Sequence, residues 1–278
     1  MTYYELLQKI SAGGGLAYTH SGIFHADEVF ASALLRMIFP SIQIIRSRDV
    51  PPEFPGLVFD QGYGEFDHHQ VNKEYRKNGI PYATFGLIWK TIAPSVYGLD
   101  VYRMVDSRFV QLIDDADNGG KPCSISNAIR SLNPTWNEDS SPAFIQSAFE
   151  RAVAMAYAIF ERQIEVAQAD LMAKPIIEQA IEKSKNGIVE LPRHINCIGR
   201  LIPDGRAKIL MYPTANSSDN WNVQTIPVTP GSRVQKIPLA SYEDDYLNGV
   251  KYRNANGFLA TCEDYESAKK LADLSVAA

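Results

Sequence analysis

The sequence predicts an α/β protein in three parts: a parallel-sheet N-terminal domain over residues 1–141, a long helical connector over 142–186 and a smaller α/β C-terminal domain over 187–278. Three observations carry this. Short apolar runs alternate with amphipathic helical patterns from Leu16 to Phe59, the order expected of a parallel sheet with crossover helices. After Pro142 a stretch rich in Ala, Glu and Gln keeps helical spacing to about Lys185. Beyond Asn186-Gly187 the pattern changes to β-rich segments closed by one more helix.

Taken in order, residues 3–10 read as a short amphipathic helix ended by Gly13-Gly14-Gly15. Leu16–Thr19 is a buried strand that delivers His20 at its C-terminal end. Ala26–Phe39 is helical by its apolar spacing (Val29, Ala33, Leu34, Met37) and stops at Pro40. Ile42–Ile45 is a second strand, and Leu57–Phe59 a third that delivers Asp60. In a parallel sheet ligands bind at the carboxyl ends of strands, where both His20 and Asp60 would sit. Residues 82–94 and 101–116 are two further helices, the second with one apolar stripe through Val105, Phe109 and Ile113. The connector helix carries Pro175, where a kink or break is expected. Ala207–Tyr212, Trp221–Val228 and Val250–Ala260 read as strands and Glu266–Leu274 as the last helix.

Composition narrows the function. Hydrophobic content of 45% suits an ordinary globular core, and a net charge of −5 argues against a broad basic face for long duplex nucleic acid. The three cysteines, Cys123, Cys197 and Cys262, have no paired spacing and read as reduced thiols. Met1-Thr-Tyr-Tyr-Glu5 has neither the basic nor the apolar segment of a signal peptide. The longest apolar run, Ala152–Phe160, is too short to cross a bilayer. A cytoplasmic chain without membrane contact is expected.

Chemistry concentrates in the histidines. Four of the five lie in two carboxylate-rich motifs, His20-Ser-Gly-Ile-Phe-His25-Ala-Asp27 and Asp67-His68-His69-Gln70, and an acidic run, Asp114, Asp115, Asp117-Asn118-Gly119, follows. Imidazole and carboxylate in this density are what first-row divalent metals bind. Asp27 alone would also suit a helix first turn. On a loop one of two adjacent histidines can ligate while the next faces substrate, with Asp67 fixing a ring tautomer. Three carboxylates at a helix C-terminus oppose its dipole, so a cation must compensate them, either a metal or a nearby arginine.

These residues carry a family resemblance. His-x4-His-x-Asp, a strand-end Asp, Asp-His-His-Gln and Asp-Asn-Gly, in that order, resemble the Myg (melanocyte-proliferating-gene) family of exonuclease-like proteins, a branch of the DHH phosphoesterase superfamily. Further matching segments are Arg46-Ser-Arg48-Asp49, Gly86-Leu-Ile-Trp89, Leu132-Asn-Pro-Thr-Trp136-Asn137 and Trp221-Asn-Val-Gln-Thr-Ile-Pro227. The resemblance implies that 1–141 is a DHH-type metal-binding catalytic domain and 187–278 a substrate-binding domain. It also implies a pair of divalent ions, Mn²⁺ first, with Mg²⁺ or Co²⁺ as the other candidates.

By the family pattern His20 and His25 would hold one metal, and Asp27 and His68 the other. Asp60 would bridge, Asp117 would complete the second sphere, and His69 would contact the scissile phosphate, making Asp60 and His69 the catalytic residues. Where this chain has His25, relatives elsewhere in the superfamily carry Asp. The family's basic turn and paired glycines are replaced here by Ser241-Tyr-Glu-Asp-Asp-Tyr246 and Gly257-Phe-Leu-Ala-Thr261.

Two divalent ions set against Asp27, Asp60 and Asp117 leave one positive charge, which a bridging hydroxide would cancel. Anion attraction would then come from His69 and from Arg46, Arg48, Lys73, Arg76 or Lys77, with His194 reaching towards substrate across a cleft between the domains. Tyr75, Tyr82 and Trp221 are candidates to stack a base. The expected reaction is phosphodiester hydrolysis at the end of a short single-stranded RNA or in a small nucleotide. Alternatives are a pyrophosphatase or phosphomonoesterase on a small phosphate compound, and a catalytically impaired metal-dependent nucleotide-binding protein. A zinc peptidase is disfavoured because no His-Glu-x-x-His helix is present. A homodimer is compatible with the sequence.

Overall fold

The alternation of strand and helix is realised, in a computed structural model that describes residues 1–215 and 217–278. The chain divides into two compact units, Met1–Ala169 and Asp170–Ala278.

In the first unit, α1 (Tyr3–Ala12) opens on a reciprocal cap in which Thr2 Oγ1 accepts from the Glu5 N–H at 3.2 Å and the Glu5 carboxylate accepts from the Thr2 N–H at 2.7 Å. There follow β1 (Leu16–Thr19), α2 (Ala26–Ile38), β2 (Gln43–Arg46) and β3 (Leu57–Val58). The sheet runs β2-β1-β3 with both pairings parallel. His20 and Asp60 therefore leave the carboxyl ends of neighbouring strands, as the sequence predicts. α2 is buried at every position from Ala26 to Leu35, because α3 (Thr84–Val96), α5 (Gln111–Asp117) and α6 (Ser124–Arg130) all pack on it. Phe30, Phe85, Trp89, Phe109 and Phe160 interlock behind it with ring centroids 5.0–6.4 Å apart.

The helix expected over 101–116 is instead α4 (Leu99–Val105), a π-helical turn at Asp106–Val110 and α5. The π turn adds a residue to the ladder, a device often found beside functional sites. α6 is not expected from the sequence: it is two turns long, and Ile129 is its only buried residue, too little for a periodic signal.

α7 (Pro142–Lys183) runs on through Pro175. Pro175 is exposed, so water can serve the carbonyl that proline leaves without a donor. In the second unit the sheet order is β4-β5-β6-β8-β7, for β4 (Ile188–Glu190), β5 (Ile209–Thr214), β6 (Ser217–Thr225), β7 (Val250–Arg253) and β8 (Leu259–Cys262). β4 and β5 are parallel and the other pairs antiparallel. The strand expected over Val250–Ala260 is a hairpin, turned at Gly257 with φ +66°. Alternation along β5 explains its two covers. Ile209 and Met211 pack with α9 (Tyr265–Ala277), whereas Leu210 and Tyr212 pack with Ile177 and Ala180 of α7 and with α8 (Ile198–Leu201). All three cysteines are free. No helix among the described residues is long and apolar enough to cross a membrane.

Candidate metal centre

The loop from β1 to α2 holds the first candidate ligands. His20 follows the last strand residue, and its Nε2 lies 3.1 Å from Glu28 Oε1 and 3.2 Å from Asp60 Oδ2. His25 is the residue before α2, and its backbone N–H is taken by both Glu28 oxygens at 2.8 and 2.9 Å. Glu28 escapes a reading of the sequence. An acid in the third helical position reads as a cap, and here it does cap, but its fully buried carboxylate also faces His20.

Asp60 arrives on the neighbouring strand with φ +55°. That left-handed conformation costs free energy outside glycine and recurs where a side chain must be aimed. Its two oxygens face opposite ways: Oδ2 towards His20, and Oδ1 towards His68 Nδ1 at 3.3 Å. Thr84 Oγ1 stands between Asp60 Oδ1 at 3.2 Å and the Phe66 carbonyl at 3.1 Å. His68 is buried, with its Nε2 2.9 Å from Asp117 Oδ2 and its Nδ1 3.7 Å from Asp27 Oδ2. His69 is turned outward, its side chain 58% exposed, with Nδ1 2.7 Å from Asp67 Oδ1. Asp67 also accepts from the backbone N–H groups of His69 and Tyr63 at 3.0 and 2.7 Å. It holds the His69 ring by Nδ1, while the neighbouring His68 ring is enclosed.

Asp27 decides what the cluster is for. It is completely buried, and neither carboxylate oxygen has a hydrogen-bond partner. Burial, compounded by the charges of Asp60, Asp117 and Glu28, pushes its pKa well above the usual carboxylate range. A buried carboxylate with no hydrogen bond, its nearest basic nitrogen 3.7 Å away on His68, is costly for a fold to carry, and a bound cation would remove the cost.

Around it two imidazoles are raised by their acidic partners. Burial alone would depress His20, but its bonds to Asp60 and Glu28 outweigh that and raise it to about 10. His68 is raised to about 9 against burial by Asp117 and Asp60. Burial opposes ionisation of Asp60, yet the two histidines hold its pKa below the ordinary carboxylate range. Ligand atoms within 4.8 Å of one another form four overlapping sets: His20, His25 and Glu28; His25, Asp27 and Asp117; Asp27, Glu28 and Asp60; and Asp60, Asp67, His68 and His69. Asp27 and Asp60 each belong to two sets, so the donors and the unpartnered oxygens fit more than one divalent cation.

The acidic run is compensated three ways. Asp117 meets His68. Asp115 accepts from the Lys121 N–H at 3.0 Å. Asp114 is fully buried and accepts from Arg76 at 2.7 Å and from the Gly86 N–H at 3.1 Å. Burial pushes Asp114 up to about 7 against the pull of Arg76. Arg76 also grips Asp106 at 2.7 and 2.9 Å and lies 4.0 Å over the Tyr82 ring. Arg76 is buried and engaged by Asp106 and Asp114, so the expectation that it meets substrate is corrected: it holds the acidic helix in place. Tyr82 is largely buried and lines a cavity with Asp67 and His68.

The remaining candidates are distributed as follows. Arg46, at the end of β2, donates to the Gly22 carbonyl at 2.8 Å and lies 4.4 Å over Phe149, with its Nε unpartnered. Arg48, Lys77 and Tyr75 are exposed, and Lys73 is tied to Asn118 at 2.6 Å. Trp221 packs edge-on against Tyr265 in the second unit. His194 is exposed in that unit, its ring 4.9 Å from Tyr212.

The chain matches the family model MYG1_exonuc, described as an uncharacterised protein family (UPF0160), over residues 16–276. It is 29% identical to the MYG1 protein of Saccharomyces cerevisiae over 93% of this chain and 95% of that one. It is 26% identical to the MYG1 exonuclease of Homo sapiens over 93% and 85%. Among solved structures, RecJ from Thermus thermophilus in complex with Mg²⁺ aligns with 99% of this chain at 11% identity and a TM-score of 0.31. This chain spans 50% of RecJ's length, and a likeness that low says nothing about the site. With the family match continuous from the first strand to the last helix, and both histidine motifs inside it, the chain belongs to the MYG1 exonuclease family.

Proposed function

We propose that this protein is a metal-dependent hydrolase that cleaves phosphodiester bonds, an exonuclease acting on short single-stranded RNA or small nucleotides. The observation that carries the reading is the buried, unpartnered Asp27 carboxylate beneath a convergence of imidazoles and acids. Family membership supports it, because relatives bear the name MYG1 exonuclease.

His20, His25, Asp27, Asp60, His68 and Asp117 would hold two divalent ions, Mn²⁺ by preference, with Glu28 fixing the loop that presents His20 and His25. When bound, such a pair supplies Lewis-acid activation of a phosphoryl group and of water. The chain's own residues do the rest. Asp60 offers one oxygen to each side of the cluster. The Asp67 carboxylate accepts a hydrogen bond from His69 Nδ1–H and orients the ring; in the imidazolium form Nε2–H would donate to a phosphoryl oxygen and pass its proton to the departing alkoxide, leaving the neutral ring to take a proton from water. Arg46, with an enclosed Nε–H still unpartnered, is assigned to attract the anion. Arg48, and His194 of the second unit, are proposed as further substrate-binding residues.

The test is an assay of Mn²⁺-loaded protein on short oligoribonucleotides, dinucleotides and an activated phosphodiester. Mononucleotide release is expected, and Asp60→Ala or His68→Ala lowers turnover by roughly two to three orders of magnitude, as for loss of an electrostatic element of a transition-state site. Phosphate release in place of mononucleotide would assign the site to a phosphomonoester or pyrophosphate. Tight nucleotide binding without any cleavage would mark an impaired, binding-only member.

A further inference from the structure

A cavity of about 240 Å³ opens on the cluster from one side, within the first unit. Its walls include His25 and Asp117, which share a ligand set with Asp27, then Gly119 and Gly120, and Asn127 and Arg130 of α6. Arg130 is exposed, and its guanidinium has no ion-pair partner among the described residues. Asn127 is exposed beside it. Ser126 Oγ, on the same wall, is enclosed without a partner. Buried hydroxyls are ordinarily satisfied, and a small rotation would let this one serve a ligand.

The wall is also bolted to the metal loop. The Asn133 amide donates to the Phe24 carbonyl at 2.8 Å and to the Arg130 carbonyl at 3.0 Å, and its Oδ1 accepts from the Phe24 N–H at 2.9 Å. Phe24 immediately precedes His25. One side chain thereby fixes the backbone of Arg130 relative to the loop that carries His25. An exposed guanidinium on a wall shared with His25 and Asp117, without an acid of its own, is open to an anion that comes with the reaction.

We propose that the cavity lined by Asn127 and Arg130 binds a second phosphate of the substrate, one nucleotide away from the reacting one, and that Arg130 is its principal contact. This rests on the function proposed above and narrows its substrate class. Nucleotides and oligonucleotides with a further phosphate beside the scissile bond are favoured over diesters without one. Arginine suits the role because its planar fork meets two phosphate oxygens at once.

The experiment compares wild type, Arg130→Ala and Arg130→Lys on a dinucleotide with and without a terminal phosphate and on bis(p-nitrophenyl) phosphate, each loaded with Mn²⁺ to a measured stoichiometry. Wild type is expected to prefer the phosphorylated dinucleotide, mainly through KM. Arg130→Ala loses that preference by on the order of 10- to 100-fold, the worth of a charged hydrogen-bonded contact, and Arg130→Lys restores part of it. Equal losses on all three substrates, or no change in the preference, would overturn the proposal.

Calorimetric binding of inorganic phosphate to Mn²⁺-loaded protein gives a readout independent of turnover. Affinity should fall in Arg130→Ala with metal stoichiometry unchanged, and unaltered affinity again overturns the proposal. If wild type cleaves none of the diesters, the proposed function fails, and phosphate binding still decides whether the cavity takes the anion.

Discussion

The carboxylate of Asp27 and the two raised histidines make the site's electrostatics testable one residue at a time. Asp27→Asn imitates the neutral acid that burial imposes on the metal-free protein. Its metal-free stability should stay within about 1 kcal/mol of wild type, while the rise in melting temperature on adding Mn²⁺ disappears. Retention of that rise would show that Asp27 is not a ligand.

The sign of the pH effect follows from His20 and His68, raised from 6.5 to about 10 and about 9. Their pairing with carboxylates stabilises the metal-free fold fully below the unfolded histidine pKa, and that stability is lost as pH rises through about 9 to 10. Chelator-treated protein should therefore melt at a lower temperature near pH 10 than near pH 7. Since metal ligation needs neutral imidazole, binding at neutral pH must release protons, which calorimetry in buffers of different ionisation enthalpy detects. The histidines are legible in the sequence because imidazoles are rare and theirs are bunched. Glu28 is not, because its type and spacing are also those of a helix cap.

At the level of elements, the end of α5 and the start of α3 are locked together through Asp114. A Cβ at Gly86 would collide with the Asp114 carboxylate and crowd Arg76. Gly86→Ala should therefore cost roughly 1–3 kcal/mol by overpacking, and Arg76→Ala about 3–5 kcal/mol by leaving Asp114 buried and unpaired. Both are read from urea unfolding, and values within about 0.5 kcal/mol of wild type would refute the lock. β1, α2 and β3 can be read from the chain because apolar period and glycine or proline boundaries agree there. α6 and the β7–β8 hairpin cannot: two turns with one buried side chain carry no period, and the hairpin's turn lies inside what reads as one continuous strand. The element that escapes notice is the one that supplies Arg130.

Across the whole molecule the proposed ligands His20, His25, Asp27, Asp60, His68 and Asp117 all lie in the first unit, whereas the segments Ser241–Tyr246 and Gly257–Thr261 lie in the second. Hydrogen exchange should accordingly slow on Mn²⁺ addition around residues 20–28, 60–69 and 114–120, with residues 187–278 unaffected. Protection confined to the second unit would place the metal elsewhere. Membership of the family is visible in the order of the motifs, since their spacing is imposed by strand ends and helix starts that bring them together.

The most direct test of the central claim is an anomalous difference map from crystals of the protein soaked in Mn²⁺. Two peaks about 3.5–4 Å apart are expected, one against His20 and His25, the other against Asp27, His68 and Asp117, with Asp60 between them. A map with no peak at Asp27, its carboxylate still unliganded, would rule out a metal pair at this site.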